Sequence, residues 1–222
     1  MSQLKAVIFD ADGTLLDSFE LILSAYRHVA ETHGLRAPGA DEIRSQMGQP
    51  LPEIFKKLYP NEDIRQLLHT NSSFIAANLM ASAAFEGVES LLQKLHDSGL
   101  KLGILTSGGP RVNDILRHHG FDTFFSSIVH NERLTNPKPN AEGFLLAAKE
   151  CGVSPHDAAM AGDTTIDVET GKNAGAFTTI AVTHGFGLLA DLEEAGADYI
   201  VSSIAAMENV LLQLIETDVK PF

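Results

Sequence analysis

Six short apolar runs, at residues 5–9, 101–105, 127–130, 158–161, 177–182 and 198–201, set the strongest limit on what this chain can fold into. Each is strand-sized and little interrupted by polar residues, which fits strands buried on both faces. Between most of them lie stretches with apolar residues at helical spacing, such as Val88, Leu91, Leu92 and Leu95. Strands alternating with helices predict an α/β fold with a doubly wound parallel sheet. The 222 residues suffice for one large domain or two unequal ones.

The alternation breaks once. Residues 17–80 show helical patterns and no clear strand. Asp17 and Glu20 have the spacing of a capping box that would open the first helix, and Gly34 would close it. Pro38, Gly39, Pro50, Pro52 and Pro60 punctuate the stretch beyond Gly34. The expectation is a core of residues 1–16 and 82–222 and a smaller, all-helical domain over 17–81, with hinges near 15–17 and 81–85.

Polar residues that do not suit a core stand where four of the runs end. Asp10 and Asp12 follow the first, and alternate residues of an extended segment share a face. Two close carboxylates repel, so the pair needs a cation or a proton. Thr106-Ser107-Gly108-Gly109-Pro110 follows the second run. It reads either as a plain strand–turn–helix link, with Pro110 at the first helical position, or as a phosphate cradle of hydroxyl and backbone N–H groups. In Asn136-Pro137-Lys138-Pro139-Asn140, prolines on both sides stiffen the backbone of a single lysine, which suits neutralising an anion. Asp163 lies at a further strand end, with Asp167 one helical turn later. With Asp10 and Asp12 these acids make a hard oxygen site of the kind that takes Mg²⁺.

The net charge of −13 argues against nucleic acid or an anionic membrane as the main partner. A small phosphorylated metabolite stays open, provided a metal, a lysine or a helix N-terminus supplies local positive charge. Cys151 is the only cysteine, so no intrachain disulfide forms, and a buried, unreactive thiol is the expectation. No signal peptide or membrane-length run is visible, which makes a cytoplasmic location the default.

In their order, spacing and place at strand ends, these segments resemble the haloacid dehalogenase superfamily of phosphohydrolases. Asp-x-Asp-Gly-Thr at 10–14 is similar to its first motif, Thr106 to its second, Lys138 to its third, and Gly162-Asp163-x-x-x-Asp167 to its fourth. The likeness spans nearly the whole chain, and the helical insert resembles the family's cap. Asp-Gly-Thr-Leu-Leu-Asp-Ser at 12–18 and Asn-Pro-Lys-Pro are most similar to the phosphoglycolate phosphatase branch, which also holds pyrophosphatases and sugar-phosphate phosphatases.

That resemblance implies a Rossmann-like core and hydrolysis of a phosphate monoester. Asp10 would be the nucleophile and Asp12 the general acid and base. Mg²⁺ would sit on a carboxylate oxygen of Asp10, the backbone carbonyl of Asp12 and Asp163, with Asp167 completing or orienting the shell. Thr106, Ser107, Gly108 and Lys138 would hold the phosphate. The cap loop 44–50 would lie over the site, where Arg44 either reads a second charge on the substrate or is simply solvated. Monomer and homodimer are both compatible with this reading.

The chain departs from the branch at Ser107, where many members carry asparagine, and at Thr170-Gly171, where alanine-glycine is frequent. Asp12 sets it apart from the dehalogenases, which place tyrosine there. Ile22 stands where the family's sugar phosphomutases carry histidine, and no lysine near Gly48 offers Schiff-base chemistry. A receiver-like signalling domain would carry its aspartate on a middle strand and no insert. A non-catalytic phosphate binder remains the alternative from another class. No phosphate-loop or dinucleotide glycine motif occurs, and no histidine cluster has zinc spacing. His118-His119 is expected to end a helix, and His184 to lie on a surface loop.

Overall fold

A computed structural model of the chain describes residues 3–216. In chain order the elements are β1 (Ala6–Phe9), β2 (Leu16–Asp17), α1 (Phe19–His33), α2 (Ala40–Arg44), α3 (Leu51–Leu58), α4 (Ile64–Ala77) and β3 (Ala83–Ala84). Then come α5 (Val88–Asp97), β4 (Lys101–Thr106), α6 (Val112–His118), β5 (Phe125–His130), α7 (Glu142–Glu150) and β6 (Ala158–Gly162). The chain continues through α8 (Thr165–Ala174), β7 (Thr178–Val182), α9 (Leu189–Glu194), β8 (Tyr199–Val201) and α10 (Ile204–Glu216).

Six strands form one sheet in the order β5-β4-β1-β6-β7-β8. Every pairing within it is parallel. Alternate residues of each strand serve opposite layers. Val7 and Phe9 of β1 join α5, α6 and α10 through Leu91, Leu92, Leu95, Leu116, Met207 and Leu211. Ala6 and Ile8 face α7 through Phe144, Ala147 and Ala148. Helices therefore cover both faces, which is why the strand residues need no polar alternation. Because the strands are parallel, the carboxyl ends of the central trio β4, β1 and β6 open side by side. Open α/β sheets place their ligands at that edge.

Between β2 and β3 the chain forms α1–α4, whose own core joins Tyr26, Val29, Ile43, Ile54, Phe55 and Leu67. Tyr26 and Phe55 meet with ring centroids 5.1 Å apart. Gly34 ends α1 at φ 65°, as its position suggested. The capping box expected at Asp17 and Glu20 is not formed. Helix α1 starts at Phe19 behind Ser18, which makes no side-chain cap. Asp17 instead pairs in a two-stranded antiparallel ribbon, Leu16 opposite Ala84 and Asp17 opposite Ala83, through which the chain leaves and re-enters the larger domain. Pro110 likewise falls before α6 rather than at its first position, and Arg111 is the residue preceding that helix.

Cys151 is buried at the end of α7, and burial pushes its thiol up to about 11, so it behaves as a small hydrophobe. His118 and His119 end α6 as expected. His184 is only part-exposed: its Nε2 lies 3.1 Å from the Thr14 carbonyl and its ring 4.3 Å from that of Phe85. No helix among the described residues is long and apolar enough to cross a membrane.

Candidate active site

Asp10 follows β1 directly, and its N–H still donates to Ala161 O of β6 at 2.8 Å. The chain then turns sharply at Gly13, whose φ of 84° favours glycine. A Cβ there would stand 2.3 Å from Asp163 Oδ2, so the turn can press against Asp163 only without a side chain. The turn also brings Thr14 Oγ1 to donate to Asp163 Oδ1 at 3.1 Å. On the other side Phe186 N–H donates to Asp163 Oδ2 at 2.7 Å.

Lys138 lies buried between two acids. Its Nζ donates to Asp10 Oδ1 and to Asp167 Oδ1, each at 2.7 Å, and to Leu105 O at 3.3 Å. The second oxygen of Asp167 is also engaged, accepting from Thr164 N–H at 3.1 Å and from Thr164 Oγ1 at 2.6 Å. Asp167 thus caps its own helix and anchors the lysine at once. Asp10, Asp163 and Asp167 each offer an oxygen within 4.8 Å of the others'.

The charges explain what this cluster needs. Three buried carboxylates face one buried ammonium. Burial pushes the Asp10 carboxyl up to about 7 against the pull of Lys138, and Asp167 adds to the rise. Asp163 is pushed well above the usual carboxylate range by burial and by the charges of Asp10 and Asp167. Burial works against the Lys138 charge, yet Asp10 and Asp167 outweigh it and hold the ammonium above its usual range. A hard divalent cation fits such a site, since the donors are all oxygens and positive charge is what they lack.

These shifts fix the sign of the pH dependence. Between the ordinary Asp value of 3.8 and about 7, native Asp10 holds a proton that the unfolded chain has released. The ion-free protein therefore loses stability as pH rises through that window. A cation that replaces the proton acts mainly above it. Saturating Mg²⁺ should raise the thermal midpoint by about 5–10 °C at pH 8 and by little at pH 5. Thermal unfolding with Mg²⁺ and with EDTA measures this, and equal shifts at the two pH values would remove the acid cluster as the binding site.

A cavity of about 500 Å³ opens beside Asp10, between the sheet edge and the helical domain. Asp12, Thr106, Ser107 and Gly108 line it. Asp12 stands apart from the acid triad. Its carboxyl is pushed up by burial, with the Ser18 hydroxyl and the Lys138 charge opposing. Thr106 Oγ1 accepts from Gly108 N–H at 2.9 Å, which folds the loop back over the strand end. Ser107 Oγ donates across the cavity to Gly48 O at 2.7 Å. Arg44 is not among the lining residues. Its guanidinium donates to Gly185 O at 3.2 Å and lies over the Phe19 ring, 4.2 Å from the centroid, so it ties the helical domain to the core.

Several residues that hold this arrangement escape a reading of the sequence alone. Thr14 and Thr164 lie inside or beside the first and fourth motifs, and their hydroxyls next to acids are the available signal. Phe186 acts through its backbone N–H, for which no sequence signal exists. Gly162 is a further case. A Cβ there would stand 2.3 Å from Asp167 Cβ and 2.6 Å from its Oδ2. Gly162→Ala should push Asp167 off Lys138 and lower both Mg²⁺ affinity and turnover by roughly 10–100-fold. Mg²⁺ titration followed by thermal shift, beside a rate assay, tests it; a variant with unchanged values would show that Asp167 is free to move.

Comparison with known proteins agrees with this layout. The family profile of haloacid dehalogenase-like hydrolases matches residues 7–182. The pyrophosphatase PpaX of Bacillus pumilus is 31% identical over 183 residues, 80% of this chain and 82% of that protein. A phosphoglycolate phosphatase of Nitrosococcus oceani is 25% identical over 223 residues, covering 96% of this chain and 99% of its own. Among solved structures, a haloacid dehalogenase-like family protein of Streptococcus pneumoniae superposes with a TM-score of 0.82 at 28% identity, over 95% of this chain and 98% of that one. The chain belongs to the haloacid dehalogenase-like hydrolases, and within them it is an enzyme of the phosphatase kind.

Proposed function

We propose that the protein is a Mg²⁺-dependent phosphatase that hydrolyses a small phosphate monoester, phosphoglycolate-like or a sugar phosphate, through an aspartyl-phosphate intermediate on Asp10. One observation carries this reading: Asp10 is the only residue that belongs both to the buried acid triad and to the cavity wall. Lys138 holds its Oδ1 and leaves Oδ2 to attack phosphorus. As that bond forms, the ester P–O bond breaks, and the leaving oxygen takes a proton from Asp12. The raised carboxyl of Asp12 suits an acid in that role. Asp12 then removes a proton from water, which attacks the same phosphorus, releases phosphate and restores Asp10.

Lys138 and Asp167 keep Asp10 in one orientation throughout, so little of the binding energy is spent on ordering the nucleophile. Bound Mg²⁺ supplies the positive charge that lets a phosphate dianion approach these carboxylates. Thr106 and the turn at Ser107–Gly108 form the wall that the phosphate oxygens would meet. The test is phosphate release from p-nitrophenyl phosphate, a panel of phosphorylated metabolites and pyrophosphate, with Mg²⁺ and with EDTA. Turnover that needs the metal is expected. Folded protein inactive on every compound would point to a binder instead.

A further inference from the structure

The part of the cavity away from Asp10 is built for a particular kind of leaving group. Its wall on the helical domain is made by Leu21, Ile22, Ile54, Leu68 and Ile75, with one buried amide, that of Asn71, among them. Asn71 is only 6% exposed, its side chain lines the cavity, and none of the side-chain hydrogen bonds among the described residues involves it. An amide placed so has both donors and an acceptor free toward the space it lines. A ligand that fills this space without pairing with the amide strips it of water at a cost, so a ligand that does pair is favoured over one that does not. Tyr26 also lines the cavity, and its buried hydroxyl has no partner among the described residues.

The charges point the same way. No cation of the helical domain reaches the cavity wall. Arg44 is held by Gly185 and Phe19, Arg36 by Glu42, and Lys57 by Gln46 and Gln49. Among the described residues the only lining cation, Arg111, comes from the core side, which also contributes the carboxylate of Glu132. A carboxylate or second phosphate carried into the Asn71 lobe would lose its water and find no cation of the helical domain in return, with the Arg111 charge across the cavity offset by that of Glu132.

Resting on the phosphatase reading above, we propose that this lobe takes an uncharged leaving group, an apolar body of several carbons bearing one hydrogen-bonding group for the Asn71 amide. It discriminates against leaving groups that end in a carboxylate or a phosphate. Asn71 is then a specificity-determining residue that touches substrate without taking part in the chemistry.

The test compares kcat/KM with Mg²⁺ for alkyl phosphates of three to six carbons, each with and without a terminal hydroxyl, against phosphoglycolate and pyrophosphate. In the wild-type protein the best hydroxylated ester should exceed both charged compounds by at least about tenfold, and its plain counterpart by about tenfold. Asn71→Leu, which keeps the branched outline but removes both polar atoms, should raise KM for the hydroxylated ester and abolish the second preference with kcat little changed. A wild-type preference for phosphoglycolate or pyrophosphate would overturn the proposal while leaving the phosphatase reading intact, and it is decided whether or not the variant folds. A folded Asn71→Leu protein that keeps the hydroxyl preference would also overturn it. Inactivity on every ester, p-nitrophenyl phosphate included, would end the phosphatase reading and this proposal together.

Discussion

Asp10→Asn should lower phosphate release from every ester by roughly 10⁴-fold or more while leaving the protein folded. Asparagine keeps the size of the side chain and can still accept from Lys138 Nζ through its carbonyl, but its amide is too weak a nucleophile to form the acyl phosphate. The fold should tolerate the change because burial already disfavours a charge at this position, where the carboxyl is pushed up to about 7. Lys138 also keeps Asp167 as its second partner at 2.7 Å. Rate assays with p-nitrophenyl phosphate beside a urea unfolding curve separate the two effects. Turnover within tenfold of wild type would remove Asp10 from the nucleophile's role. Lost turnover with a collapsed transition would leave the chemistry undecided, and in that case trapping of labelled phosphate on wild-type Asp10 settles it.

Lys138→Met should cost about 3–5 kcal/mol of stability and abolish turnover. The side chain is 4% exposed and bridges two acids, so its removal leaves buried carboxylates without a counter-charge. In the wild type the ammonium's raised pKa means that its contribution is whole below the ordinary Lys value of 10.5 and fades only as pH rises beyond it. In the variant Asp10 can escape by taking up a proton, which is easier in acid. The loss should therefore be larger at pH 8 than at pH 5. Urea unfolding in EDTA at the two pH values measures both numbers. A loss under about 1 kcal/mol at pH 8 would mean that the acids are already neutral and that the lysine acts only on phosphate.

Much of the larger domain was legible because its strands are buried on both sides. A continuous apolar run such as Val7-Ile8-Phe9 or Ile104-Leu105 has few other uses in a chain that also shows turn residues at each end. The acids and the lysine were legible for the opposite reason, being charges at places where a chain of this kind should bury apolar groups. What could not be read depends on partners far away in sequence. The ribbon of β2 and β3 has only Leu16–Asp17 and Ala83–Ala84 in its strands, too short for any periodicity to show. Asp17 met the spacing of a capping box, but pairing with Ala83 holds its backbone extended, and the helix begins after Ser18. Arg44 reads from sequence as facing substrate or solvent; its stack on Phe19 of a neighbouring helix and its hydrogen bond to Gly185 of the larger domain both need partners distant in the chain. Asn71 carries no mark in the sequence that separates it from the other polar residues of α4, because what distinguishes it is the cavity beside it.

The short ribbon of β2 and β3 has a bearing on how such enzymes diversify. Since the exit and return points of the intervening helices are neighbours in an antiparallel pair, the larger domain experiences the insert as little more than a hairpin loop. Segments of other lengths can be accommodated there without altering the register of β1 against β4 or β6, on which the spacing of Asp10 and Asp163 rests. The helical segment can therefore be remodelled while the acids at the ends of β1 and β6 keep their places.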